Sequence, residues 1–208
     1  MSAKKIFIVA LCAIFSASSL MAAEGAPELF AASFAMEIEG DYKGALNKTL
    51  KILRENSKNY VATLRAGWLY YLKKDYNASM AYYQKAIAQK PYAIEPLLGL
   101  TLPLMAAKNW SAGEKIAGKI IAKAPNNYLA NSRLAYILFS QARYGEAEKK
   151  YKKMLALHPG DMEMKLGLAW TYVKMGNRKK AIKYFNEALQ VRKHNVNALA
   201  GISAAQKM

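Results

Sequence analysis

The chain has 208 residues, 53% hydrophobic and 22% charged, with 31 Lys and Arg against 14 Asp and Glu for a formal net charge of +17. That balance excludes low-complexity and disordered character and leaves room for one or two compact units with a real core. Abundant Ala, Leu, Lys and Tyr with few β-branched runs favour helix, so the expected class is all-α.

Residues 1–23 are written differently from the rest. Met1 to Lys5 carries two lysines and Ile6 to Ala23 carries no charge, which is the pattern of a secretory signal. Its apolar heart, Ile6 to Phe15, is about ten residues long, short of the roughly 20 that a bilayer span needs. Cleavage is expected after Ala22 or Ala23. Leu20 and Met21 stand two residues upstream, where small residues are usual, so an uncleaved anchor is the alternative. The single cysteine, Cys12, lies inside this run behind Leu11, outside the small-residue setting of a lipoprotein signal. An exported chain cut there keeps no thiol for a disulfide, a nucleophile or a Cys-based zinc site.

From Ala26 onward the sequence repeats every 34 residues. Pro91, Pro125 and Pro159 mark three unit ends at one phase, with Ser57 and Lys193 in that phase at the outer units. The units run 26–59, 60–93, 94–127, 128–161 and 162–195, and residues 196–208 keep the phase as a final helix. The first helix of each unit carries a small-then-large pair three apart: Ser33 with Met36, Gly67 with Tyr70, Thr101 with Leu104, Ala135 with Leu138, Ala169 with Tyr172. A turn follows at Gly40-Asp41-Tyr42, Lys74-Asp75-Tyr76, Lys108-Asn109-Trp110, Arg143-Tyr144 and Gly176-Asn177-Arg178. The second helix has a small phase at Ala45, Ser79, Gly113, Ala147 and Ala181, which lets two helices approach closely. Four residues later a bulky phase holds Tyr83, Tyr151 and Phe185, with Thr49 and Ala117 out of pattern; three further on stand Ile52, Ala86, Ile120, Met154 and Ala188. Asn77 and Ser111 share a phase read as the N-cap of the second helix. Asn47, Asn77 and Asn109 begin N-x-S/T sequences, which matter only in a host that glycosylates exported chains.

These phases resemble the tetratricopeptide repeat. The resemblance covers Ala26 to the C-terminus and implies a right-handed superhelical solenoid of five helix-turn-helix units with a C-terminal capping helix. Each unit cannot bury its apolar faces alone, so stacked neighbours build one continuous core. The resemblance also implies that the first helices line an inner face. There the ninth residues form a ladder of Phe34, Trp68, Leu102, Tyr136 and Trp170, joined by Phe30, Tyr71, Leu98, Met105, Phe139 and Val173 at flanking phases. Two readings stay open: aromatic anchors for an extended partner segment, or packing between neighbouring first helices. The family's charged clamp for a C-terminal carboxylate is disfavoured, because only Lys174, Asn197 and Lys207 fall at lining phases.

Charge is uneven. Glu24 to Asn59 holds five basic and six acidic residues, a net of −1, whereas Tyr60 to Met208 holds 24 and eight, a net of +16. The excess gathers at Lys149, Lys150, Lys152 and Lys153 and at Arg178, Lys179, Lys180 and Lys183. Such runs read either as a solvated outer face or as attraction to an anionic surface, screened beyond a Debye length. Nucleic acid would accept the charge, but no groove-reading motif accompanies it. His158 and His194 sit in turns without companion ligands, so neither a metal site nor a cofactor is expected. With no phosphate loop, nucleophile elbow or paired carboxylates on one face, the chain reads as a binding protein and not an enzyme. The expected function is an exported scaffold of the cell envelope, in bacteria the periplasm, that holds a protein or peptide partner in its apolar groove. The alternative is a binder of cell-wall polymer or anionic membrane surface, through aromatic stacking and the basic exterior.

Overall fold

The computed structural model describes residues 25–208, so the expected signal or anchor and Cys12 lie outside the described residues. Those residues form eleven α-helices and no strand. Five antiparallel pairs follow one another: α1 (Ala26–Ile38) with α2 (Tyr42–Glu55), α3 (Tyr60–Leu72) with α4 (Tyr76–Gln89), α5 (Glu95–Ala106) with α6 (Trp110–Lys123), α7 (Tyr128–Ser140) with α8 (Tyr144–Leu157), and α9 (Met162–Lys174) with α10 (Arg178–Val191). A final helix, α11 (Val196–Gln206), packs on α9 and α10. The architecture is an all-α repeat solenoid.

The helix boundaries have local causes. Asn59, Asn127, Asp161 and Asn195 cap the first-helix series, each accepting a hydrogen bond from the backbone N–H three residues on. Asp41, Asp75, Asn109 and Asn177 do the same for second helices. Asn77 and Ser111 are therefore not caps: each is the second residue inside its helix, and the N–H three residues past the cap is already taken by Asp75 or Asn109. Between the helices of every pair one residue adopts the left-handed region, at Gly40, Lys74, Lys108, Ala142 and Gly176. The next N–H then reaches back to the carbonyl five residues earlier, as from Asp41 to Met36 at 2.8 Å and from Asn177 to Tyr172 at 2.8 Å. This is a Schellman closure, repeated five times.

The small phases lie at the helix crossings. Ser33 Oγ donates to the Ala45 carbonyl at 2.8 Å, and Ser79 Oγ to that of Gly67 at 2.7 Å, so the hydroxyls are satisfied where backbones meet. Ala45, Ser79, Gly113, Ala147 and Ala181 are buried, as are Ile52, Ala86, Ile120, Met154 and Ala188. Consecutive first helices touch from α3 through α5, α7 and α9 to α11. Between α1 and α3 side chains make the bridge instead: Trp68 Nε1 donates to Glu37 at 2.6 Å, and Arg65 pairs with Glu37 at 2.9 Å.

Candidate binding groove

The first helices present the five-residue ladder and its six flanking residues along one face, and none of these eleven is buried. Phe34 and Tyr136 are the most open, at 52% and 48% exposed; the other nine are half-buried. Eight of the eleven border two open cavities of about 350 and 360 Å³. The first, between α1, α3 and α5, is walled by Phe34, Trp68, Leu98 and Leu102. The second, between α5, α7, α9 and α11, is walled by Met105, Tyr136, Phe139 and Trp170. Phe30, Tyr71 and Val173 do not line either cavity. Phe30 packs against the core of the first two units and Val173 against that of the last units, while Tyr71 stacks on Trp68 at 5.6 Å. The ladder thus divides between open wall and packing.

The two tryptophans are rigid walls because their polar edges are held. Trp68 Nε1 is taken by Glu37, and Trp170 Nε1 donates to Asn197 at 2.7 Å while its ring stands edge-on to Phe185 at 5.3 Å. Fixed amphipathic rings with one wet edge lose little entropy when a ligand packs on them.

The floor of the groove follows a rule that crosses unit boundaries. Tyr83, Tyr151 and Phe185 meet the next helix of the first-helix series, α5, α9 and α11, at Gly99, Gly167 and Gly201. A Cβ at any of these glycines would stand 2.1 to 2.4 Å from the ring. At the two remaining boundaries the bulky phase is small, Thr49 and Ala117, and the residue in the glycine register is an arginine, Arg65 and Arg133. Ring with glycine, or small residue with arginine: either combination places one large side chain at the boundary, and of these Tyr83, Tyr151, Arg65 and Arg133 line the cavities. Thr49 and Ala117 stand out in the sequence as small members of a bulky phase, whereas Arg65 and Arg133, 16 residues later in the next unit, do not.

The two arginines are not equivalent. Arg65 is buried; its Nε donates to Ser33 Oγ at 2.7 Å, its Nη1 pairs with Glu37, and its guanidinium lies 3.6 Å over the Phe34 ring. Burial pushes its pKa down and Glu37 opposes the shift. Arg133 is half-buried and borders both cavities. Its Nη1 donates to the Leu98 carbonyl and to Thr101 Oγ1, the latter at 2.6 Å. Burial lowers its pKa as well, opposed by the phenols of Tyr83 and Tyr71, yet a guanidinium stays cationic throughout the ordinary pH range.

The eight basic residues lie on second helices, away from the groove. All are exposed except Lys150, which is half-buried. Several have local partners: Lys152 pairs with Glu148 at 2.6 Å, Lys153 donates to the Pro125 carbonyl at 3.3 Å, and Lys180 lies 5.0 Å from the Tyr172 ring. Tyr172 also donates to Glu148, at 2.7 Å. His158 stands edge-on to Tyr128 at 5.5 Å. Among the described residues no three His, Cys, Asp or Glu side chains are grouped to hold a metal ion.

Three tetratricopeptide-repeat family models match residues 62–92, 104–161 and 138–205, together more than half of the chain. The chain is a tetratricopeptide-repeat protein. Among curated relatives, this repeat protein is 25% identical over 166 residues to the DnaJ protein P58IPK homolog of Arabidopsis thaliana, and 27% identical over 163 residues to the P58IPK homolog B of Oryza sativa subsp. japonica. It covers 78% and 76% of itself but spans only 30% of the length of either relative. Solved structures share the fold. A tetratricopeptide repeat protein from Parabacteroides merdae superposes with a TM-score of 0.78 at 16% identity, over 88% of this chain and 72% of that one. MamA superposes at 0.69 with 20% identity, over 81% and 92%. YrrB, described as a repeat protein with an unusual peptide-binding site, superposes at 0.68 with 19% identity, over 89% and 93%. This fold is that of a protein-interaction scaffold, and the family is typically non-enzymatic.

Proposed function

We propose that the chain is an envelope scaffold whose first-helix groove holds an extended, apolar segment of a partner protein. The observation that carries this reading is the pair of tandem cavities walled by Phe34, Trp68 and Leu102 and by Tyr136, Phe139 and Trp170. An exposed apolar strip built of rigid rings is the usual mark of a contact surface. Export rests on the charge-then-apolar pattern of residues 1–23. YrrB, with the same architecture, is described as having a peptide-binding site, and the same use is assigned here to a groove of this chain's own composition. A substitution pair tests it. Phe34→Ala with Tyr136→Ala removes the two most exposed rings at least structural cost, and binding to an array of apolar synthetic peptides should fall at least tenfold with helicity unchanged. Unaltered binding would remove the groove from the account.

A second reading, attachment to anionic lipid or acidic cell-wall polymer, is favoured by the exposure of Lys149, Arg178 and Lys179 on the outer helices. Cosedimentation with anionic vesicles that is lost at high salt and in Arg178→Glu/Lys179→Glu supports it; no cosedimentation at low salt rules it out.

A further inference from the structure

We infer that Arg133 anchors a carboxylate side chain of the segment in the groove, so that the partner reads apolar, acidic, apolar along its length. This deepens the groove reading above and rests on it. Arg65 and Arg133 stand 68 residues apart, in the same register two units on. Arg65 bonds Ser33 and Arg133 bonds Thr101, residues in the same register of the preceding unit. Arg65 is then neutralised by Glu37; the residue in the Glu37 register of the Arg133 pair is Met105. Among the described residues no carboxylate pairs with Arg133. Glu95 and Glu163 line the cavities on either side, are exposed and leave it unpaired.

The guanidinium is only half used. Nη1 spends its donors on the Leu98 carbonyl and the Thr101 hydroxyl, which fixes the plane of the fork. Nε and Nη2, the edge that grips a carboxylate side-on with two parallel hydrogen bonds, donate to nothing among the described residues. Unlike Nη2 of Arg65, they are not sealed from solvent. A preorganised cation in an apolar groove attracts an anion more strongly than a surface lysine does, since the surrounding dielectric is low. The occupant is an internal acidic residue and not a chain end, because an apolar cavity opens on both sides of Arg133 and a segment filling both must continue past it.

The test uses the purified full chain and synthetic nonapeptides, acetylated and amidated, with a central Glu or Gln and Leu or Phe two to four residues to each side. A third series has the Gln sequence ended at that position with a free carboxylate. Salt of about 0.3 M suppresses long-range attraction to the basic exterior. The proposal expects the Glu series to bind at least tenfold tighter than the Gln series, and this preference to fall below twofold in Arg133→Met. Should Arg133→Met lose helicity by circular dichroism, Arg133→Lys decides instead: it keeps the charge without the side-on edge and should reduce the preference to threefold or less. Equal binding of Glu and Gln peptides, or a preference that survives both substitutions, overturns the inference while leaving the groove intact. Tightest binding by the free-carboxylate series overturns the internal assignment in favour of a chain end. If no series binds, the groove reading fails with it.

Discussion

Replacing Gly99 with alanine tests the rule that governs the groove floor. The new Cβ would stand 2.1 Å from Cε1 of Tyr83, well inside the 3.5–4.0 Å of an ordinary carbon contact. The ring cannot easily retreat: it is buried, and a Cβ at Gly67 would already be 3.0 Å from Cδ1. Overpacking of this kind costs about 1–3 kcal/mol, and here the upper part of that range applies. Alanine regains about 1 kcal/mol over glycine within a helix, so the net loss should be about 1–2 kcal/mol. In a Tyr83→Ala background, itself costing about 3–5 kcal/mol, the obstacle is gone and Gly99→Ala should stabilise by about 1 kcal/mol. The sign reversal, a coupling of about 2–3 kcal/mol, is read from urea midpoints followed by far-ultraviolet circular dichroism. A Gly99→Ala protein as stable as the parent, or one whose deficit persists without the Tyr83 ring, refutes the ring-with-glycine rule.

Ala142 holds a left-handed conformation at φ 60°, which costs an L-residue about 1–2 kcal/mol. Ala142→Gly should therefore raise stability by about 0.5–1 kcal/mol after the greater flexibility of unfolded glycine is deducted, and a lowered urea midpoint contradicts this. Asp75→Ala should cost about 1 kcal/mol as a lost cap, while Asn77→Ala, inside the same helix, should change stability little; equal losses would return the cap to Asn77. Burial pushes Tyr128 and Tyr172 up to about 12 and Tyr83 and Tyr151 above the usual phenol range. Because the folded state favours the protonated phenol, this stabilisation is whole below pH ~10 and is lost as the pH rises through about 12. Tyrosinate absorbance should accordingly show a late group of phenols that ionise together with loss of helicity. Uniform ionisation near pH ~10 with the helices intact would be inconsistent with the packing.

The period, the helix pairs and the close-packed small residues were legible in the sequence because each depends on a residue type repeated within its own unit. Ala45, Ser79, Gly113, Ala147 and Ala181 look alike in any alignment of the units. What escaped depends on pairs. The register holding Arg65, Gly99, Arg133 and Gly167 looks disordered until each residue is set beside Thr49, Tyr83, Ala117 or Tyr151 in the unit before it. The caps are Asp75 and Asn109, two positions before Asn77 and Ser111, because both pairs of polar residues keep phase and only the hydrogen bonds to Ala78 and Ala112 tell them apart. Nor could spacing alone divide the ladder. Tyr71 and Val173 share the phase of Met105 and Phe139, yet only the latter two line a cavity, because Tyr71 stacks on Trp68 and Val173 packs into the core of the last units, contacts that no single-unit pattern reveals.

Binding of a partner along the first-helix groove has a direct test. Photo-crosslinking side chains introduced at Leu102 and Tyr136, and for comparison at Lys119 on the outer helix α6, test it in intact cells, with the crosslinked peptides sequenced. Crosslinks are expected from both groove positions to one protein segment that carries an acidic residue between apolar ones, and none to that segment from Lys119. The same segment captured from the outer helix, or groove positions that capture no protein, would contradict it.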